Sequence, residues 1–163
     1  MYRLVIICIG LALSACSPGP GETSAPGGAD VATPRNPFFG GWSLSQTRTA
    51  PWWTGDGAGP SPDPAFSALR LAADAVTGPP GIACAQPAYS TDLLSARSVF
   101  GGKLDAPAVQ APGLGLTGPD LTVLSLSCRS APLPSEVTFV MAGPDTILLA
   151  VGDVIYTYTR QPG

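Results

Sequence analysis

Residues 147–160, ILLAVGDVIYTYTR, decide how this chain reads. Ile147 to Val151 is an unbroken apolar run, Gly152-Asp153 interrupts it, and Tyr156 and Tyr158 then alternate with Thr157 and Thr159. Side chains of a strand point to alternate faces, so the Tyr/Thr alternation predicts a half-buried strand. A Gly-Asp pair between two such runs predicts a tight hairpin in which Gly takes the positive φ. Further back, Leu124, Leu126 and Cys128 share one face of LTVLSLSC (121–128), and Ser125 and Ser127 take the other. Val137, Phe139 and Met141 repeat the pattern in EVTFVM (136–141), and Gly143-Pro144-Asp145 separates that strand from the hairpin. The C-terminal third is expected to be an antiparallel meander. The fold class is therefore mainly β, a small antiparallel β-barrel or sandwich.

Nearer the N-terminus, FGGWSLSQTRT (39–49) predicts an opening strand with Trp42 and Leu44 on one face, and LLSARSVFGGKL (93–104) one or two short strands. Residues 65–77 admit two readings. Asp63-Pro64 suits an N-cap and first helical residue, Gly78-Pro79-Pro80 suits a stop, and Phe66, Leu69, Ala73 and Val76 fall near one helical face. Leu69, Leu71 and Ala73 also alternate against Arg70, Ala72 and Asp74, as a strand requires. The β character of the flanking sequence favours the strand.

The start of the chain carries a separate message. Met-Tyr-Arg precedes an apolar run from Leu4 to Leu13, and the run ends in Leu13-Ser14-Ala15-Cys16. A spanning helix needs about 20 apolar residues, so this run fits the core of a signal peptide better than a membrane anchor. The tetrapeptide resembles the lipobox of bacterial lipoproteins. That resemblance implies cleavage between Ala15 and Cys16, a diacylglyceryl thioether on Cys16, and attachment to membrane lipid through it. At about 0.8 kcal/mol per buried CH₂, two or three acyl chains hold a protein durably where one is marginal. Ser17 follows where Asp would favour inner-membrane retention, so the resemblance implies an outer-membrane lipoprotein facing the periplasm.

Three regions follow: residues 1–15 a signal peptide, 16–37 the lipidated Cys and a flexible linker, and 38–163 one β-rich periplasmic domain. SPGPGETSAPGGADVATPRNP (17–37) has neither helical nor strand period and little to bury, which is linker composition. As a coil it spans roughly 25 Å. The remaining body is large enough for one core and small for two. Of the four cysteines, Cys8 departs with the leader and Cys16 carries lipid. Cys84 and Cys128 are left in an oxidising compartment, where one disulfide is the simplest outcome.

Composition excludes several function classes. The chain has 163 residues, 12% charged, with 8 Lys or Arg, 11 Asp or Glu, no His and a net charge of −3. Losing Arg3 with the leader leaves seven basic against eleven acidic side chains. An acidic protein gains nothing from counterion release, so nucleic acid is not an expected partner. Without histidine, Ser-His-Asp, Cys-His and paired-His zinc sites cannot be built. Gly101-Gly102-Lys103 fails as a phosphate loop, because Arg97 stands where the first Gly belongs and Leu104 where Ser or Thr would bind magnesium. Most Asp residues sit at turn positions, where bonding to local backbone is their ordinary role. No cofactor, metal or catalytic residue is expected.

In the body, GGWSL (40–44), VTGPPGIACAQPAY (76–89), LSLSC (124–128) and the closing hairpin together resemble the small META-type domains of bacterial lipoproteins. The chain has Ala83-Cys84-Ala85 where that family usually has Gly-Cys-Asn. The resemblance implies a compact β-fold and no particular activity.

One feature stands out against this background, Trp52-Trp53 before the loop Thr54-Gly55-Asp56-Gly57. Adjacent side chains on an extended segment diverge, so both rarely enter one core. An exposed indole can stack on a sugar, grip a partner or lie at a membrane interface. Alternatively, one Trp plugs the barrel end and the other shields the loop. The expected function is a membrane-anchored, noncatalytic binding or interaction domain, with an envelope protein, peptidoglycan or a small ligand as partner. The alternatives are an accessory component of an envelope assembly, a protease or lysozyme inhibitor, and an Asp-dependent hydrolase.

Overall fold

Alternating apolar residues organise the described residues of this chain into nine strands and one short helix. The computed structural model describes residues 36–128 and 137–162; Ala15, Cys16, the leader and the linker as far as residue 35 lie outside the described residues. The strands are β1 (Gly40–Thr49), β2 (Ala68–Leu71), β3 (Ala75–Thr77), β4 (Cys84–Ala85), β5 (Pro87–Ser95), β6 (Asp120–Cys128), β7 (Val137–Gly143), β8 (Thr146–Val151) and β9 (Val154–Arg160), with α1 (Pro107–Gly113) between β5 and β6. All pair antiparallel in one sheet of order β4-β3-β2-β1-β9-β8-β7-β6-β5. The mainly-β expectation holds, as a curled half-barrel.

The C-terminal meander forms as its sequence pattern predicts. Gly152 takes φ 58, and β8 and β9 pair from Thr146↔Thr159 to Val151↔Val154. Positive φ costs Gly nothing, because it has no Cβ to meet the backbone.

The continuous apolar run of β8 has a physical cause: this part of the sheet is buried on both faces. Phe139, Ile147, Leu149, Tyr156 and Tyr158 point inward with Trp42, Leu69, Leu71, Leu124 and Leu126 to make the barrel core. Val123, Val140, Leu148 and Ile155 point outward into a second core closed by Val99, Leu104, Ala111, Leu114 and Leu116. The segment carrying α1 thus lies across the outer face of β6 to β9. Without it those four side chains would meet water.

The two ends of the sheet order are joined by a single residue. β4 and β5 are opposite edges of the sheet, yet only Gln86 separates them in the chain. The sheet therefore has to curl until its edges meet there. Gln86 turns the corner at φ 55 and donates its N–H to the Asp74 carbonyl at 2.9 Å. The Tyr89 hydroxyl donates to the Ala72 carbonyl at 2.8 Å, and its ring packs 5.2 Å from that of Phe39. A disulfide joins Cys84 to Cys128, with Cα atoms 6.0 Å apart.

Two local expectations need correction. Residues 65–77 divide between both readings: Pro64–Ser67 is a 3₁₀ turn, and β2 and β3 follow, separated by residues 72–74. Asp63 does act as N-cap, its Oδ1 accepting from the Ala65 N–H at 2.8 Å. The turn ends where Leu69 and Leu71 enter the barrel core, alternating with exposed Ala68 and Arg70. The stretch 93–104 is strand only to Ser95, after which Val99–Gly102 forms a tight turn with Phe100 at φ 54 and Gly101 at φ 68. Val99 and Phe100 become buried through that turn, not through a pleat. The helix α1 was signalled by no clear period and contains Pro112. Among the described residues, no helix is long and apolar enough to cross a membrane.

Candidate functional site

A cleft opens where the β8–β9 turn, the β3–β4 turn and the segments after β1 and β5 converge. It encloses about 650 Å³ and is lined chiefly by Trp52, Phe66, Ile82, Phe100, Lys103 and Val137. That volume lies within the ordinary range for small-molecule sites, roughly 300–1,000 Å³.

Each wall has a local origin. At the end of β1, the Ala50 N–H donates to the Asp153 carbonyl at 2.8 Å, and the Trp53 N–H donates back to the Ala50 carbonyl at 3.1 Å. This turn throws Trp52 over the hairpin tip, where its Nε1–H donates to the Gly152 carbonyl at 3.3 Å. Phe66 is fixed by the two tyrosines of β9. Its ring stacks on Tyr156 at 4.4 Å, its carbonyl accepts from the Tyr158 hydroxyl at 3.0 Å, and the Asp63 N–H donates to the Tyr156 hydroxyl at 3.0 Å. Burial, and secondarily neighbouring Tyr156, pushes the Tyr158 phenol well above its ordinary value. It stays a neutral donor across the physiological range.

Against Trp52 packs Phe100, with ring centroids 5.6 Å apart. A left-handed conformation is unfavourable for a bulky residue by about 1–2 kcal/mol. Phe100 adopts it because its ring is buried against Trp52 on one side and the outer core on the other. Three residues on, the Lys103 Nζ lies 5.4 Å from the centroid of the Trp52 ring, within cation–π range. Lys103 is the only lysine of the chain. Among the described lining residues there is no Asp or Glu.

The two tryptophans part company. Trp52 is half-buried and lines the cleft, whereas Trp53 does not. The Trp53 ring covers Gly55, where a Cβ would come within 2.6 Å of it. Sequence reading missed Phe100 and Phe66 as wall residues and discarded Lys103 with the failed phosphate-loop pattern. The available signal was the left-handed-prone Gly101-Gly102 beside an aromatic residue and the one lysine. Among the described residues, no three Cys, Asp or Glu side chains are grouped so as to hold a metal.

At the other end of β1, Arg160 ties the incoming chain down. Its guanidinium packs 4.2 Å from the Trp42 ring, donates to the carbonyls of Phe39, Pro144 and Pro37, and pairs with Asp145 at 3.1 Å. Ten residues of strand at about 3.3 Å each separate that anchorage from Trp52.

Fold and site together define a class: a small antiparallel β-domain, closed by a disulfide, with an aromatic-walled cleft and, among its described residues, one cation at its rim. Compared with family models, curated proteins and solved structures, the chain matches none.

Proposed function

We propose that this chain is a lipid-anchored envelope lipoprotein whose β-domain binds a small, largely apolar ligand without transforming it. The observation that carries the binding half is the cleft lined by Trp52, Phe66 and Phe100, a mainly apolar concavity with one charged side chain among its described lining residues. Such sites hold ligands by apolar burial and orient them with few polar groups. The lipobox resemblance at Leu13–Cys16 carries the other half, and the Cys84–Cys128 disulfide agrees with an oxidising compartment. With Ser17 after Cys16, the outer membrane, periplasmic side, is the proposed location. The META-type likeness of the body stands as a proposal about ancestry and adds no activity.

Two measurements test this reading on protein isolated from the envelope of a bacterial host. Intact mass should report a chain that starts at Cys16 and carries acyl groups; an unmodified thiol or a retained leader would remove the anchor. Denaturing the same protein should release a bound organic molecule that is lost from Trp52→Ala and from Val137→Trp, which fills the cleft. Equal recovery from wild type and both variants would remove the binding role.

A further inference from the structure

The geometry points to an anionic amphiphile as the ligand, its apolar body laid against Phe66, Ile82 and the packed Trp52–Phe100 pair and its charged head at Lys103. This deepens the binding reading above and rests on it. Three observations converge. First, the walls are aromatic and aliphatic, and Phe66, Ile82 and Phe100 are anchored in the two cores behind them. Second, the rim carries one cation and, among its described residues, no carboxylate, although acidic side chains outnumber basic ones in the chain. Asp105 and Asp153, close to lining residues in sequence, are exposed and outside the lining, and Glu136, beside Val137, lies outside the described residues. Third, Lys103 has no ion-pair partner among the described residues, and its ammonium lies 5.4 Å from the Trp52 ring centroid, on the chain leaving the left-handed turn at Phe100 and Gly101.

Such a turn is unfavourable for Phe100 and persists only where surrounding contacts over-determine it, a pattern that clusters at ligand sites. Here its consequence is specific. It buries an aromatic ring in the wall and returns the chain to the rim within three residues, with the charge outermost. An apolar ligand without charge would gain nothing from that ammonium, and a cationic one would be repelled by it. A negative head beside an apolar body satisfies both halves of the cleft.

The test uses the acylated full chain in phosphatidylcholine nanodiscs, with empty nanodiscs as the blank. Octanoate and octanamide, which share one apolar body, are the probes in equilibrium dialysis. Octanoate should bind about fivefold more tightly than octanamide, the scale of one partly screened charge pair. Lys103→Gln should bring octanoate to the octanamide level measured on the same variant, Lys103→Arg should keep the preference, and Trp52→Ala should weaken both. Equal affinities on wild type would overturn the anionic assignment and leave the binding role intact. A preference that survives Lys103→Gln would overturn the role of Lys103. Binding of neither probe would overturn both.

Discussion

Arg160 shows how much one side chain can organise. Its ion pair with Asp145 is of small consequence, because Asp145 is 73% exposed and exposed pairs are worth about 0–1 kcal/mol. The carbonyls of Phe39, Pro37 and Pro144 matter more, since a planar guanidinium can meet several acceptors while stacked on Trp42. Arg160→Ala should lower unfolding free energy by about 2 kcal/mol, and Arg160→Lys should recover less than half of that. Chemical denaturation of the three proteins measures both. A lysine that restored full stability would mean charge alone is at work. The sequence offered no hint of this role, because an arginine closing a Tyr/Thr strand looks like any solvated strand end. Its acceptors lie 15 residues or more away along the chain.

At the scale of elements, the inner and outer cores impose different rules on the same strands. In β6, Leu124 and Leu126 serve the barrel, while Leu121 and Val123 serve the contact with the segment carrying α1. Alternation was therefore legible only toward the end of β6, where Ser125 and Ser127 lie beyond the covered patch. The disulfide acts between elements as well, tying two-residue β4 to nine-residue β6 across 44 positions of sequence. So short a strand has little pairing of its own to keep it in the sheet. On chain-entropy grounds, closing a loop of that length is worth about 4 kcal/mol. The double variant Cys84→Ala, Cys128→Ala should lose a large part of that in denaturant midpoint. Limited proteolysis of the variant should cut first in residues 78–86, the segment holding β4. A first cut in the β8–β9 hairpin would contradict this placement.

For the whole molecule, closure of the sheet at Gln86 links curvature to pH. Burial, aided by the negative charge of Asp74, pushes the Tyr89 phenol from 10 up to about 12. The folded state thus holds the proton that the unfolded chain releases first. The contribution of Tyr89 is complete below about pH 10 and is lost as pH rises through about 12. Tyr158 acts in the same direction from inside the barrel. Tyr89→Phe should therefore flatten the alkaline fall in stability while lowering stability at neutral pH by about 1 kcal/mol, through loss of the hydrogen bond to Ala72. Denaturant midpoints followed from neutral to strongly alkaline pH decide it. A slope unchanged by the substitution would place the alkaline transition elsewhere.

What the sequence determined by itself was local and periodic. The hairpin at Gly152, the inward faces of β1, β6, β7 and β9, and the N-cap at Asp63 all depend on residues within a few positions of one another, where steric preference and strand alternation act directly. The pairing of Cys84 with Cys128 was legible for another reason: under the expectation of export, with Cys8 lost and Cys16 acylated, only those two thiols remain. Tertiary structure alone decided which strands are covered on both faces, that the sheet edges meet at Gln86, and that residues 52, 66, 82, 100, 103 and 137 share one cleft. Those outcomes depend on sheet curvature and on packing between segments far apart in the chain, and no periodicity along a single segment encodes such a meeting.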